Sequence, residues 1–420
     1  MVGFEVWLRG LFGSKKEELA SHISQLYMRT RPNKSESFAE DSNAFAFAIY
    51  RQLRQGPGNL FFSPFSIRAA LSMTYAGAKG ETATQMRKAL RFPPSDETLY
   101  IAFAEIIQQL NAAGGDEYEI AAVNSLWSQT GAPLQAEFID LITRYYSRVI
   151  SFVDFRSRAG DARVTINQWV EDKTKLKIQE LISPGSLDIE TRLVLVNAVY
   201  FKGMWVLQFC KSATRNESFY LENGGTVRIP LMYQHEQMFY LQTKDYQAVD
   251  LDYQGGILSM LVLLPNRKDG LQYLEKTISA KMISDCVAKM RVHEVKLFLP
   301  RFRIIWGTVD MRDQLTNLGM TLPFSRFQAD FSGISGYKAP EEGSLFISAV
   351  YHKAFLEVNE KGTEATAATA VLEDTGTFPI YKSVPVPTFR ADHPFLFAIR
   401  DRKSGTILFL GRMDNPMREN

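Results

Sequence analysis

The side chains that most often perform catalysis are scattered along this chain. Its five histidines stand at positions 22, 235, 293, 352 and 393, and none has the spacing of a metal ligand pair. Neither a Gly-x-Ser-x-Gly nucleophile turn nor a glycine-rich phosphate loop is present. The two cysteines, Cys210 and Cys286, form no metal or redox motif and are interpreted as isolated thiols. A catalytic triad can also assemble from distant residues, but no pattern here indicates an active site.

The segment from Glu360 to Ala370 could lie solvated as a loop and could also enter a sheet. After Gly362 it contains only alanine, threonine and one glutamate, so no bulky side chain would hinder its entry into a sheet. Alanine favours helix and threonine weakly favours strand, which leaves the segment without a firm preference. Gly362 can act as a hinge because glycine tolerates backbone angles that other residues avoid. Taken alone, this composition also fits a flexible linker or a surface helix.

The neighbours of this segment carry a family resemblance. Asn359-Glu-Lys-Gly-Thr-Glu364, the Ala/Thr run after it and Phe389-Arg-Ala-Asp-His-Pro-Phe395 resemble the hinge and reactive-centre region of the serpins. Similar motifs extend the resemblance over roughly residues 42–416. It implies the following hinge positions: Glu360, Gly362, Thr363, Glu364, Ala365, Thr366, Ala367, Ala368, Thr369 and Ala370.

The fold implied by the resemblance is α+β, a single-domain serpin fold with three β-sheets, about eight or nine helices and an exposed reactive-centre loop. The serpin domain would span residues 41–420 with its loop at about 360–390, and residues 1–40 would form an N-terminal extension. In that extension the spacing of Leu19, Ile23 and Leu26 predicts an amphipathic helix, which is either a tether, a docking segment or a solvated appendage.

The resemblance also implies two groups that control opening of the main sheet. A shutter would contain Ser63, Ser66, Asn197 and His352, and the breach where insertion begins would contain Trp205. Arg301 and Glu360 match the family's salt bridge at the top of the strand that enters the loop. Without the resemblance, each would be an ordinary core or surface residue. These roles are structural control, so we expect no enzyme activity, no metal and no cofactor.

The mechanism implied is suicide-substrate inhibition of a serine protease, in which the cleaved loop inserts into the main sheet. Family members place the scissile bond about 17 residues along from the matching glutamate, roughly 55 Å of strand at about 3.3 Å per residue. Counting from Glu360 puts the bond between Gly376 and Thr377. Small residues there favour an elastase- or subtilisin-like target, and Thr375 and Phe378 are alternative positions.

The loop departs from the family pattern at its far end. Counting back from Pro394 points nearer residues 379–383, where Tyr381 or Lys382 would fit chymotrypsin- or trypsin-like targets. A cut there leaves an overlong tether and favours substrate behaviour, so Gly376 is preferred. Glu373 and Asp374 are unusual so close to the cut. Glu373 would turn inward, which is tolerable only if the lower end of the new strand stays wet.

An alternative function is that of a non-inhibitory serpin acting as a carrier or chaperone. Bulky or charged hinge residues would favour that interpretation, and the small residues at 363–370 argue against it. Heat stability before and after loop nicking separates the two, because only insertion raises it.

Composition and apolar patterning agree with a packed protein. The 420 residues are 45% hydrophobic and 12% aromatic, and the net charge of +2 favours neither nucleic acid nor acidic membranes. The protein is expected to be a monomer. The apolar N-terminus carries Glu5 and Arg9, which predicts a cytoplasmic or leaderless product, extracellular only if a leader has been removed.

The predicted elements are strands at 191–205, 346–358, 394–399 and 406–411 and helices at 43–53, 166–170 and 177–182, with another helix beginning at Ser63-Pro64.

Overall fold

The computed structural model describes residues 36–112, 118–146, 150–363 and 385–419. Within these ranges helices and strands are interspersed, which confirms the α+β class. The ten α-helices of these ranges are α1 Glu36–Leu53, α2 Pro64–Tyr75, α3 Gly80–Ala89, α4 Asp96–Ala112, α5 Ala136–Tyr146, α6 Phe155–Lys173, α7 Leu271–Thr277, α8 Ala280–Lys289, α9 Arg312–Asn317 and α10 Ser332–Ser335. That is slightly more than the eight or nine expected, because α10 is a single turn.

The strands follow the predicted apolar runs closely. They are β1 Leu60–Phe62, β2 Tyr118–Gln129, β3 Ile150–Val153, β4 Leu193–Met204, β5 Arg215–Tyr220, β6 Thr226–Gln242, β7 Tyr246–Asp252, β8 Leu258–Pro265, β9 Arg291–Pro300, β10 Phe302–Asp310, β11 Ile347–Val358, β12 Gly362–Thr363, β13 Thr388–Arg390, β14 Phe395–Asp401 and β15 Ile407–Met413. The last two form the predicted antiparallel hairpin.

The main sheet of the described residues has six strands, in the order β10-β11-β4-β2-β3, with β12 pairing β4. Its central strand β4 is buried along almost its whole length. Since side chains alternate along a strand, Leu193, Leu195 and Val199 face the larger core, which contains α2. Val194 and Val196 face the smaller core under α6. The sheet is therefore covered on both faces.

The remaining strands of the described residues form one nine-stranded sheet, in the order β1-β15-β14-β8-β7-β6-β9-β13, with β5 on β6. Two sheets thus stand where three were expected. The reason is β6, which runs unbroken through 17 residues. Its first part pairs with β5, its last part with β7, and most of its length with β9. Continuous hydrogen bonding through β6 joins strands that a shorter strand would leave in separate sheets.

Local signals explain where the elements near the main sheet begin and end. The Ser63 hydroxyl caps α2 by accepting a hydrogen bond from the Ser66 amide, and Pro64 occupies the first turn, as predicted. The helix predicted at residues 177–182 is wrong. α6 ends at Lys173, and the Thr174 hydroxyl bonds to the Val170 carbonyl and accepts from the Ile178 amide. The two residues after Thr174 are left-handed, with φ of 52° and 62°, so the helical path does not resume.

Candidate functional site

A new central strand would have to enter the main sheet between β4 and β11 and separate these two strands. The two strands are parallel and directly paired over nine register positions, from Ile347 opposite Leu193 to Leu356 opposite Phe201. The polypeptide leaves β11 at Val358 and turns back towards the end of β4. The segment predicted to insert is thus attached to one side of the boundary and begins at its upper end, near Met204.

A group of polar side chains, here the central polar cluster, crosses this boundary at its middle. His352 on β11 is fully buried and is opposite Asn197 on β4. The Ser63 amide donates to His352 Nε2 over 3.2 Å, so the proton of the neutral ring lies on Nδ1, which contacts Asn197 Oδ1. Asn197 Nδ2 donates to Ser66 Oγ over 2.6 Å. The four predicted shutter residues therefore lie together.

Asn124 on β2 is a fifth member of the central polar cluster that sequence patterns did not single out. It is the direct cross-strand neighbour of Asn197. Its Oδ1 accepts hydrogen bonds from Asn197 Nδ2 and from Ser66 Oγ, the latter over 3.1 Å. The only available signal was an asparagine in an apolar strand, and its partner depends on a cross-strand register that the sequence does not reveal.

The central polar cluster is electrically neutral. Complete burial disfavours the imidazolium and lowers the pKa of His352 to about 3. At neutral pH the ring is an uncharged hydrogen-bonding link between strands. Such a network stabilises a closed boundary because each member is satisfied only while the strands stay together.

A second group, here the upper cluster, lies where β11 ends. The Glu360 carboxylate, 2% exposed, pairs with Arg301, whose side chain is 45% exposed. The Thr214 hydroxyl donates to the same carboxylate over 2.8 Å. Burial alone would raise the pKa of Glu360, but the hydrogen bonds from Arg301 and Thr214 outweigh burial and hold it below its ordinary value. Thr214 is a partner that sequence reasoning missed.

Trp205 completes the upper cluster from the end of β4. Its indole stacks on Tyr253 with ring centroids 4.5 Å apart, and its Nε1 donates to the Asn359 carbonyl over 3.0 Å. The Trp205 amide donates to the Lys361 carbonyl over 2.8 Å. The predicted breach tryptophan therefore holds the turn that leads out of β11.

The backbone of this turn places Gly362 on β4. Gly362 and Thr363 pair antiparallel with Met204 and Gly203, in the space where β11 no longer pairs with β4. Gly362 has a φ of +151°, and a Cβ atom there would lie 2.0 Å from the Gly203 carbonyl oxygen. Only glycine fits so close an approach. Gly362 and Thr363, the second and third of the predicted hinge positions, already run as a strand beside β4.

The rest of the predicted loop lies outside the described residues. This applies to hinge positions 364–370, to Gly376 and Thr377, and to the alternatives Thr375, Phe378, Tyr381 and Lys382. Among the described residues there is no group of three or more His, Cys, Asp or Glu side chains that could hold a metal ion. Within the same ranges, every helix is too short or too polar to cross a membrane.

Comparisons with known proteins point in one direction. A family model described as serpin (serine protease inhibitor) matches residues 40–416. A serpin-like protein of Thermococcus kodakarensis is 41% identical over 89% of this chain and 84% of its own length. Horse leukocyte elastase inhibitor is 37% identical over 91% of this chain and 100% of its own length. The structure of human thyroxine-binding globulin with thyroxine has a TM-score of 0.80 and 31% identity, covering 92% of this chain and 100% of that one.

The fold and the site define an α+β protein in which the chain leaves one strand of the main sheet and turns back onto its neighbour. This chain belongs to the serpin family. The family description and the elastase inhibitors among the relatives agree on protease inhibition.

Proposed function

We propose that the protein is a suicide-substrate inhibitor of serine proteases. The protease serine oxygen attacks the Gly376 carbonyl and forms an ester, the bond to Thr377 breaks, and the serine proton passes to the new amino group of Thr377. The freed loop then enters the main sheet between β4 and β11. The acyl bond remains intact because the protease, dragged along with the strand, is distorted before water can complete the second step.

The observation that carries this proposal is the antiparallel pairing of Gly362 and Thr363 with the upper end of β4. An incoming central strand has to run antiparallel to both neighbours, and this segment already has that direction and a defined register. The central polar cluster lies farther down the same boundary and would have to open next. The uncleaved form is thus a kinetic trap whose sheet is closed ahead of the strand.

The same register supports a cut near Gly376. Each step forward along the loop is one step back along β4, so a strand that continues from Gly362 opposite Met204 reaches Glu373 opposite Leu193, where β4 begins. A cut after Gly376 leaves a short tether below the sheet. A cut after Lys382 leaves a much longer one, which would let the protease complete hydrolysis.

The decisive experiment mixes the protein with a panel of serine proteases that includes elastase and subtilisin types. We expect a complex that survives denaturing electrophoresis, together with a released peptide that begins at Thr377 in mass spectra. Cleavage without any complex across the panel would overturn the inhibitory mechanism. A peptide beginning at another residue would retain the mechanism and correct the bond.

A carrier function is the second candidate, since a similar structure is a complex with thyroxine. The two are distinguished by the heat stability of the protein after its loop is nicked. Insertion raises the unfolding temperature strongly, whereas a carrier that does not insert its loop keeps the temperature of the intact protein.

A further inference from the structure

A cavity of about 300 Å³, here the α8 groove, lies between α8 and the turn that joins β6 to β7. It opens to solvent, and a cavity of this size accepts a small organic molecule. None of its lining residues belongs to the main sheet, to the central polar cluster or to the upper cluster. The lining residues are Leu241, Thr243, Tyr246, Ser279, Lys281, Met282, Asp285, Cys286 and Lys289.

One wall of the α8 groove is a stripe along the helix. Ser279, Met282, Cys286 and Lys289 are spaced by three or four residues, so they share one face of α8. At about 1.5 Å of rise per residue this stripe is about 15 Å long. The α8 groove therefore has the shape of a trough and suits an elongated ligand.

The floor of the α8 groove is apolar and uncharged. Met282 and Leu241 are half-buried, and the flexible thioether of Met282 adapts readily to another apolar body. Burial raises the pKa of the Cys286 thiol to about 11, although its hydrogen bond with Tyr246 opposes this effect. The sulfur is therefore a neutral thiol at pH 7. It neither repels an anion nor attacks a bound molecule.

The hydroxyl groups in the walls already have partners. Thr243 Oγ1 donates to the Tyr246 carbonyl over 2.7 Å. Ser279 Oγ accepts a hydrogen bond from the Met282 amide over 3.2 Å. A ligand that lies along the α8 groove thus gains more from apolar contact than from hydrogen bonds to these groups.

The charges around the α8 groove leave one end positive. Lys281 Nζ pairs with Asp285 over 2.8 Å, and the exposed turn adds one charge of each sign, Lys244 and Asp245. Lys289 is exposed, and it affects Asp285 only from beyond ion-pair distance. Within the described ranges no carboxylate forms an ion pair with Lys289. Three lysines stand against two aspartates, which leaves an excess of one positive charge.

Arg291 removes an obstacle to anion binding at this end of α8. Its Nη1 donates to the carbonyls of Ala288 and Met290, over 3.0 and 2.7 Å. Those carbonyls carry the negative end of the helix dipole, which would otherwise oppose an anion beside the last lysine of the helix. Behind the α8 groove, Asp250 and Arg400 form a buried ion pair and add no net charge.

We propose that the α8 groove binds a linear alkyl carboxylate, with the chain along Met282 and Cys286 and the carboxylate on Lys289. The lysine ammonium is a compact charge that suits a single carboxylate, and the apolar stripe beside it removes an unbranched chain from water. This site does not rest on the proposed function, since it shares no residue with the loop or with the two clusters.

The test titrates decanoate into the protein by isothermal calorimetry, below the micelle concentration. We expect one molecule per chain with a dissociation constant on the order of 0.1–1 mM. Decanoate should bind about five- to tenfold tighter than octanoate, because two more methylene groups leave water. Octylammonium has the same apolar body as an alkyl carboxylate but the opposite charge, and it should bind about tenfold weaker than octanoate.

Reversal of the charge at the end of α8 is the sharpest variant. Lys289→Gln should weaken decanoate about fivefold, and Lys289→Glu should make octylammonium a better ligand than octanoate. Lys276→Gln on α7 removes an exposed lysine outside the α8 groove and should change neither affinity. Met282→Glu places an acid against the chain and should abolish decanoate binding, with its unfolding temperature as the check that it folds.

The outcomes separate this site from the proposed function. Absence of decanoate binding, equal binding of octanoate and octylammonium, or an affinity unchanged in both Lys289→Gln and Met282→Glu would overturn the site. The Lys289→Glu protein should still form protease complexes at the natural yield, because the α8 groove lies outside the main sheet. A natural protein that binds decanoate as expected but forms no protease complex would overturn the inhibitory mechanism and leave the α8 groove standing.

Discussion

The central polar cluster and the upper cluster both tie β11 to its neighbours, but they do so with different chemistry. At the middle of the sheet the ties are neutral hydrogen bonds among side chains removed from water, with His352 completely buried. At the upper end the main tie is an ion pair whose arginine is 45% exposed. A neutral buried network loses several partners when one is removed, whereas an ion pair whose arginine is partly exposed is screened by salt. We therefore expect the centre to resist opening far more than the upper end.

The largest expected effect is that of Asn197→Ala. This change leaves His352 Nδ1–H, Ser66 and Asn124 without their shared partner inside the core. Unfolding of the uncleaved protein should become easier by about 3 kcal/mol, the order expected for buried polar groups left unsatisfied. Urea midpoints measure this, and loop peptides should anneal faster because the boundary opens more easily.

The matched control for Asn197→Ala is Ser128→Ala on the neighbouring strand β2. The Ser128 hydroxyl is buried and has no hydrogen-bond partner among the described residues. Its removal should change the free energy of unfolding by less than about 0.5 kcal/mol. Equal effects of the two substitutions would mean that burial, and not the network, holds the centre closed.

The next largest effect is a pH dependence of stability between pH 7 and pH 5, which is expected at the central polar cluster and not at the upper cluster. The pKa of His352 is lowered from its ordinary 6.5 to about 3, so its contribution is present above pH 6.5 and lost as the pH falls towards 3. Between pH 7 and pH 5 the free energy of unfolding of the natural protein should fall by about 2 kcal/mol more than that of His352→Gln, whose side chain does not titrate. Midpoints at pH 7, 6 and 5 measure the difference. Parallel pH profiles of the two proteins would contradict a neutral buried imidazole.

A smaller effect is expected at the hinge itself. Gly362→Ala places a Cβ atom against the Gly203 carbonyl oxygen and should push β12 off β4, at a cost of about 1–3 kcal/mol to the uncleaved protein. Gly405→Ala is the control, since Gly405 also has a positive φ, of +76°, but has open space around it. The Gly362 variant should also lower the yield of protease complex by slowing the first step of insertion. Equal costs at the two sites would show that backbone strain alone matters.

Much of this comparison could be predicted before the structure, and the missing parts share a physical cause. Ser63, Ser66, Asn197 and His352 were grouped by motif resemblance, and the structure brings them into contact. Asn124 was missed because its role depends on β2 pairing with β4 in one register out of several that an apolar strand allows. Partners fixed by long-range register leave no periodic signal in the sequence.

One further expectation was wrong and another was incomplete, because local and long-range forces compete. Residues 177–182 carry apolar residues at helical spacing, yet the hydrogen bonds of Thr174 end α6 before them. The Glu360 and Arg301 match correctly indicated an ion pair, but the near-complete burial of Glu360 and its bond to Thr214 depend on packing between distant segments. Whether these residues control insertion remains a prediction, which the last experiment addresses.

The smallest expected effect is that of Glu360→Gln at the upper cluster. Because the pKa of Glu360 is lowered from its ordinary 4.5, the contribution of its charge is present above about pH 4.5 and lost as the pH falls through the lower folded value. At pH 7 the change should cost no more than about 1 kcal/mol, and high salt should reduce even that. The control is Arg303→Gln on β10, which breaks an exposed pair with Glu419 and should have no measurable effect. Between pH 5 and 6 acid should therefore weaken the centre through His352 while the upper cluster stays intact, so annealing of loop peptides should accelerate there in the natural protein and in Glu360→Gln alike. An acceleration that disappears in Glu360→Gln would reverse the comparison and make the upper cluster the controlling tie.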